Sequence, residues 1–402
     1  MAVIKDFFKE KQKREADSEV DYREKIRAHR LSVFLKTVGI SAAVIVVFVV
    51  ASLLWNHKTF TDLSVQNSYP VNVVSGATAC DLNGSLLIYS KDGASCTDSK
   101  GKAIWNQSYE MQSPIVSICG STVAIGDYNG RTIYVANTSG ILGTVKTNLP
   151  IRSVSVSDTG EVAAVLDDSD VIRIYVYNGN TDTSDPIIEA KATMNKSGYP
   201  ISVSLSPNGK IMMVSYFYVD SGNMKSSIAF YNFGEVGSNE TDNYVSGYDY
   251  VDAVIPYTTF LDNSSAFGIG DDRLAFFEGA EKPSNDATVM ITEEAYSVYN
   301  NENYVGVVFP DSTGQGSYRL DIYNKSGTKQ SSVYFDLEYT DIFFVNDEVV
   351  IYDENEIAIY TVKGVSKYKG NLNTNVRLII PTSSSYRFLL VSNEEMQLVE
   401  FN

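Results

Sequence analysis

The sequence predicts an all-β fold preceded by one transmembrane helix, and three observations support this prediction. The chain of 402 residues contains 27 Tyr, 18 Phe and 27 Gly, a composition that favours strands and tight turns over helices. One uncharged stretch near the N-terminus is long enough to cross a membrane. After this stretch, short strands alternate with clusters of Gly, Asn, Asp and Ser, which is typical of an antiparallel β protein.

The predicted membrane span is Thr37–His57, a stretch of 21 residues without Asp, Glu, Lys or Arg. As a helix it would be about 31 Å long, which matches the hydrocarbon core of a bilayer. Lys36 and Lys58 flank it, and Trp55 occupies the position of an interfacial aromatic residue. A buried soluble helix and a cleaved signal peptide are the alternatives. The run starts late, is long for a signal peptide and has no small-residue cleavage site after Trp55, so a permanent anchor is favoured.

The charges on either side of the span predict its orientation. Residues 1–36 contain ten Lys or Arg and seven Asp or Glu, whereas the rest of the chain contains 22 and 42. Positive flanks stay in the cytoplasm. We therefore expect a basic, helical cytoplasmic tail over 1–36, a single span in the cell membrane and an extracytoplasmic domain over 58–402. The formal net charge of -17 argues against nucleic acid as a partner.

The extracytoplasmic part divides into repeated units of four strands, named A to D. The openings "PIRSVSVSDTG" and "PISVSLSPNG" are nearly interchangeable, and each predicts an inner strand of small and β-branched residues followed by a turn. Seven complete units are predicted, at Val71–Ser113, Pro114–Leu149, Pro150–Tyr199, Pro200–Asp252, Ala253–Glu294, Ala295–Glu338 and Tyr339–Thr374.

An eighth unit is incomplete, because the C-terminal sequence supplies strands A, B and C only. The missing strand D is predicted in Asp62–Pro70, which resembles the strand D segment Leu142–Pro150 and precedes the first unit without a partner. Pairing of the two ends would close the ring and remove both open sheet edges. The sequence thus predicts an eight-bladed β-propeller, with seven blades as the alternative if one unit is wrongly divided.

This blade pattern over residues 62–402 resembles the quinoprotein-like and WD40-like β-propellers. With its basic tail and single span, the whole chain resembles uncharacterised membrane-anchored propeller proteins of Gram-positive bacteria. The Gly-His and Trp-Asp signatures of WD40 blades are absent, so the resemblance implies the fold and no particular activity.

The extracytoplasmic part lacks the residues of several common catalytic sites. Its sequence from Lys58 to Asn402 contains no His, since the two histidines are His29 and His57. Ser-His-Asp and Cys-His catalysis and His-ligated metals are therefore excluded there, and we expect no enzyme, cofactor or metal. Cys80, Cys96 and Cys119 are interpreted as small buried residues, with a disulfide as the alternative. A carboxylate-based polysaccharide hydrolase remains the least favoured alternative.

The candidate site is a ring of acidic residues in the turns between strands B and C. Asp is common in turns because it bonds its own backbone, which explains Asp-Gly better than Asp-Asp or Glu-Glu. The residues predicted to bind a partner are Asp92, Asp127, Asp167, Asp168, Asp170, Asp271, Asp272, Asp353 and Glu354. Asp220, Asp311, Glu394 and Glu395 occupy equivalent turns.

These features together predict a binding or scaffold module. All turns between strands B and C emerge on one face, and strand D runs toward that face. Only about four residues separate His57 from Asp62, a reach of roughly 15 Å, so we expect the acidic face to point away from the bilayer. A protein or cell-envelope partner with basic segments would suit it. The alternative is a structural subunit of a membrane or envelope complex that acts through its span and tail.

Overall fold

The computed structural model describes residues 2–56, 59–168, 171–192, 198–384 and 386–402. The chain divides into two compact units, Met1–Thr59 and Phe60–Asn402. The first unit is a single helix, α1 (Ala2–Asn56). Among the described residues, its segment Ile26–Phe48 is long and apolar enough to cross a membrane. This segment shares residues 37–48 with the predicted span, whose last residue, His57, lies outside the described residues.

The second unit is an eight-bladed β-propeller, so the predicted fold is confirmed with eight blades rather than seven. Each blade is a four-stranded antiparallel sheet in the order A, B, C, D. In blades 2 to 5, the strands A of neighbouring blades contact one another around the axis. The first strand of the chain after α1, β1 (Leu63–Pro70), belongs to the last blade.

Blades 1 to 4 follow the chain without crossovers. Their strands are β2 (Thr78–Leu82), β3 (Ser85–Tyr89), β4 (Gly93–Thr97) and β5 (Ala103–Ser108); β6 (Pro114–Cys119), β7 (Thr122–Asp127), β8 (Thr132–Asn137) and β9 (Gly140–Lys146); β10 (Ile151–Val156), β11 (Glu161–Asp168), β12 (Val171–Asn178) and β13 (Ile188–Ala192); β14 (Tyr199–Leu205), β15 (Ile211–Asp220), β16 (Asn223–Asn232) and β17 (Tyr244–Val251). A short helix, α2 (Glu235–Ser238), and a 3-10 turn (Thr241–Asn243) connect β16 to β17.

Blades 5 to 8 continue the same order. Their strands are β18 (Tyr257–Phe260), β19 (Ser265–Ile269), β20 (Arg273–Glu278) and β21 (Ser284–Met290); β22 (Ser297–Asn300), β23 (Tyr304–Pro310), β24 (Tyr318–Asn324) and β25 (Lys329–Phe335); β26 (Asp341–Val345), β27 (Glu348–Tyr352), β28 (Glu356–Thr361) and β29 (Ser366–Asn371); β30 (Leu378–Pro381), β31 (Arg387–Val391) and β32 (Glu395–Phe401), with β1 as strand D of blade 8.

Blade 8 is built from both ends of the second unit. Strand β1 pairs antiparallel with β32, from Leu63 opposite Phe401 to Pro70 opposite Glu395. The backbone N–H groups of Thr61 and Asp62 donate hydrogen bonds to the carbonyl of Asn402, at 3.0 and 3.3 Å. The chain after α1 thus covers the edge of the last sheet, an edge that would otherwise expose a row of backbone hydrogen-bonding groups.

Serines on the inner strands explain why these strands are rich in small residues. Strand A has no neighbour on its axial side, so some of its backbone N–H groups need side-chain acceptors. Ser155 accepts the N–H of Leu205 on the next blade at 2.9 Å, and Ser202 accepts the N–H of Thr258 at 3.0 Å. The repeated Ser in the openings of blades 3 and 4 therefore joins consecutive blades around the axis.

The antiparallel order assigns the loops to two faces. Turns between strands B and C share one face, here the B–C face, with the connections from strand D to the next strand A. Turns between A and B share the opposite A–B face with turns between C and D. Backbone hydrogen bonds link the two kinds of loop on the B–C face: Tyr128 donates to Ser113 at 2.9 Å and Asp271 to Val254 at 3.1 Å.

Candidate functional site: the acidic B–C face

Three of the predicted acidic residues cap backbone groups on the B–C face. Asp127 accepts the N–H groups of Gln112 and Ser113 at 3.1 and 2.8 Å, which fixes the connection between blades 1 and 2. Asp271 and Asp353 likewise accept backbone N–H groups, at 3.1 and 2.6 Å. Asp353 thus caps its own turn, whereas Asp127 and Asp271 cap the neighbouring connection between blades. Hydrogen bonds to backbone N–H groups therefore account for the presence of all three residues.

Three more predicted residues form ion pairs with arginine. The pairs are Asp167 with Arg152, Asp168 with Arg173, and Asp272 with Arg273. Hydrogen bonds from Arg273, at 2.6 Å, hold the pKa of Asp272 below its usual value. The Arg273 guanidinium also lies 5.3 Å from the ring centre of Tyr250 on the preceding blade, a cation–π distance. Arg152 likewise contacts Tyr128 of the preceding blade, whereas Arg173 bonds residues of its own blade. All three carboxylates are paired with a positive charge, so they contribute little net charge to the face.

The remaining predicted residues differ in their surroundings. Asp92 is exposed, and no side-chain hydrogen bond reaches its carboxylate from the part of the chain that the structure describes. Glu354 is exposed and accepts one hydrogen bond from Asn375 at 3.0 Å. Asp170 lies outside the described residues. Asp92 and Glu354 are therefore the predicted residues whose charge is most available to a partner.

The connections between blades add acidic residues that were not predicted from the sequence. Each lies just after a strand D, and because D–A connections emerge with the B–C turns, these residues enlarge the same face. They are Glu110, Asp252, Glu293, Glu294, Asp336 and Glu338. These residues could have been predicted from their positions in the sequence, because the order of the blades predicts where each strand D ends and the next connection begins.

Basic residues are distributed unequally between the two faces. Within the described connections of the B–C face, the only Lys or Arg residues are Lys91, Arg131 and Arg377. The described connections of the A–B face also contain acidic residues, but they hold more lysines than those of the B–C face, namely Lys100, Lys102, Lys210, Lys282, Lys325 and Lys363. The B–C face is thus the more negative of the two, and sparse lysine rather than abundant aspartate distinguishes it.

The axis of the ring holds a polar cavity and a cluster of half-buried acids. A cavity of about 890 Å³ is lined by inner strands of blades 2 to 6, including Ser117, Ser155 and Ser202. Across the axis, Asp81 and Asp341 line a second cavity of about 280 Å³. Burial raises the pKa of Asp81 to about 6 and also raises that of Asp341.

All three cysteines are free. Cys96 is fully buried beside Leu87 and Trp105, as expected for a small core residue. Burial raises the pKa of the Cys80 and Cys119 thiols to about 11. Since the thiolate is the reactive form, this raised pKa disfavours thiol chemistry at the axis.

We predict that Asp81→Asn stabilises the protein in a pH-dependent way. The folded-state pKa of about 6 lies above the ordinary value of 3.8, so the folded chain holds the Asp81 proton more tightly than the unfolded chain. The contribution of this group to stability is largest below pH 3.8, is lost as the pH rises toward 6 and stays absent above it. An asparagine side chain would avoid that loss while still accepting the N–H of Gly84, which Asp81 accepts at 2.7 Å.

The gain expected for Asp81→Asn is about 2 to 3 kcal/mol at pH 8, from roughly 1.4 kcal/mol per pKa unit. It should vanish near pH 4. Urea unfolding midpoints of the full chain in detergent micelles at both pH values measure this difference. Equal midpoints for the variant and the parent protein at pH 8 would contradict the prediction that the ionised Asp81 carboxylate destabilises the folded protein.

The solved structures to which this chain is similar come from proteins of distant sequence. BamB from Moraxella catarrhalis is 12% identical with a TM-score of 0.51, and the alignment covers 85% of this chain and all of that one. The Pan2 WD40 domain of Neurospora crassa is 8% identical with a TM-score of 0.45, over 85% of this chain and 97% of that one. At these identities the likeness to BamB shows the propeller fold alone.

Sequence comparison identifies the family of the chain. No curated protein matches it significantly. The model of a family of unknown function, DUF5711, matches residues 56–401, which is the whole propeller including the strand that closes it. The chain therefore belongs to the DUF5711 family.

Proposed function

We propose that this protein is a membrane-anchored, extracytoplasmic scaffold whose propeller binds a protein or cell-envelope partner through its B–C face. The observation that carries the proposal is the charge of this face, where the described connections contain many acidic residues and few lysines. Such a surface attracts basic protein segments and repels competing acidic ones. The role proposed is binding rather than catalysis, because the axial carboxylates lie beside no His in the extracytoplasmic sequence.

The proposed location rests on helix α1. Its apolar segment is long enough to span a bilayer, and the more basic flank precedes it, which favours a cytoplasmic N-terminus. The proposal keeps the topology expected from the sequence, with the propeller outside the cell membrane. A partner that the propeller holds would then be a component of the envelope outside the cell membrane.

The test is a set of charge reversals chosen among exposed acids that cap no turn of the fold. The variant combines Asp92→Lys, Glu110→Lys, Glu294→Lys, Glu338→Lys and Glu354→Lys, all in described connections of the B–C face. In vivo crosslinking followed by affinity recovery of the full chain measures the captured partner. We expect recovery to fall at least tenfold, because reversal replaces attraction by repulsion across the whole face.

The matched control reverses as many exposed acids on the A–B face. It combines Asp185→Lys, Glu235→Lys, Glu240→Lys, Glu281→Lys and Glu302→Lys, and recovery should stay within twofold of the parent protein. Equal recovery in both variants would overturn the acidic-face proposal. If replacing the span instead abolished recovery, the alternative of a subunit acting through its membrane segment would be favoured.

A further inference from the structure

Exposed apolar side chains on the B–C face concentrate on blades 4 to 6. The hairpin of β15 and β16 has the longest strands among those described, ten residues each, and its tip carries Val219 and Met224, exposed by 62% and 51%. Val251, Met290 and Tyr296 are also more than half exposed in these blades. A concentration of exposed apolar side chains on one part of a surface is typical of an interaction site.

Beside this apolar surface, three connections enclose a cleft over blade 5, here called the blade-5 cleft. Its volume is about 730 Å³. Its walls are the D–A connection before blade 5, the B–C turn of blade 5 and the D–A connection after it. Val254, Pro256, Ile269, Ile291 and Val298 supply an apolar lining, and such a concave apolar surface can hold one or two side chains of a ligand.

The charged residues that line the blade-5 cleft are all acidic. Asp271, Glu293 and Glu294 line it, and no Lys or Arg is among its lining residues. Arg319 pairs with Glu293 at 2.9 Å, which neutralises that carboxylate from outside the cleft. Glu294 is exposed, and the described residues offer it no side-chain partner. The cleft thus combines an apolar floor with unneutralised negative charge at its rim.

We propose that the blade-5 cleft binds an extended segment of a partner protein in which an aliphatic or aromatic side chain is flanked by Lys or Arg. The apolar side chain would fill the cleft, and the basic residues would reach Glu294 and Asp271. A peptide fits better than a small polar molecule, because the lining of the cleft is mostly apolar and its charged residues are acidic. The inference rests on the proposed function, since it assigns the partner's chemistry to one part of the B–C face.

The experiment selects binders without assuming their sequence. A phage library of random dodecapeptides is panned against the full chain in lipid nanodiscs, and recovered peptides are synthesised. Their affinities are then measured by fluorescence polarisation. We expect the recovered sequences to share an apolar residue with Lys or Arg on either side. Selection of acidic or uncharged peptides would overturn the proposal.

Substitutions locate the binding site of the recovered peptides. Glu294→Lys and Tyr296→Ser should each weaken binding at least tenfold, because they remove the rim charge and one aromatic wall. Glu281→Lys is the matched control, since Glu281 is an exposed acid on the opposite face of the same blade. It should change the affinity less than twofold. Because Glu294 is exposed, its substitution is not expected to disturb the fold.

A second control separates the cleft from the face as a whole. This control uses Asp92→Lys and Glu354→Lys, which change residues on the B–C face in blades 1 and 7, away from the cleft. If these weaken peptide binding and Glu294→Lys does not, the acidic face stands and the blade-5 cleft is wrong. If none of the substitutions on the B–C face weakens binding, both proposals fail.

Discussion

Deletion of Asp62–Pro70 should abolish cooperative folding of the propeller. The deletion removes β1, which pairs with β32 along its whole length, and leaves an open sheet edge at blade 8. It also uncovers Val399 and Phe401, which are buried, and removes Leu63 from the core that they share. Thermal unfolding followed by circular dichroism should lose its single transition, and limited proteolysis should degrade the second unit.

Two control variants make the ring-closure prediction specific. Deletion of as many residues from α1, residues 6–14, should leave the propeller transition unchanged. In a permuted variant, the segment Phe60–Pro70 is removed from its natural position and attached after Asn402 through an added Asn-Gly turn. This variant should recover a cooperative transition. Asn402 and Asp62 already exchange backbone hydrogen bonds, so a short hairpin can join them. A stable deletion variant would contradict the role of β1.

The second large effect is expected for Phe277→Ala in the core between blades 4 and 5. Phe277 is fully buried, and its ring centre lies 5.1 Å from that of Phe230 and 5.4 Å from that of Tyr248. Truncating a buried Phe removes apolar burial and leaves a cavity, at a cost of about 3 to 5 kcal/mol. The free energy of unfolding from urea titration should fall by that amount.

The matched control for Phe277→Ala is Met290→Ala in the same blade. Met290 is 59% exposed, so its truncation should change the free energy of unfolding by less than about 0.5 kcal/mol. If both variants lost a similar amount of unfolding free energy, the packing of Phe277 between blades 4 and 5 would not be the source of the predicted stability. Because the ring is closed, a loss at one interface should lower the stability of the whole second unit.

The architecture was predictable because the same strand and turn pattern recurs in each blade. Inner strands such as Ile151–Val156 and Tyr199–Leu205 both carry repeated Ser, and Ser155 and Ser202 join consecutive blades. The residues that favour strands and turns locally are thus the same residues that the packing of blades around the axis requires. Helix α2 was not predicted, because its four residues, Glu235–Ser238, are too few to show helical periodicity.

The candidate site was less predictable than the fold. The sequence shows that Asp127 and Asp353 lie in B–C turns, but not that their carboxylates cap backbone N–H groups. Nor does it show that Arg152 pairs with Asp167 across a strand pair. The blade-5 cleft is formed by three connections that are distant in sequence, and such a surface exists only once the blades are packed together.

Hydrogen–deuterium exchange of the full chain, alone and with its recovered partner, tests whether the partner binds to the B–C face. We predict slower exchange in the B–C turns and D–A connections, with the largest change over residues 252–256 and 291–296 beside the blade-5 cleft. The A–B face and α1 should exchange at unchanged rates. Protection confined to the A–B face or to α1 would contradict the claim that the partner binds to the acidic face of the propeller.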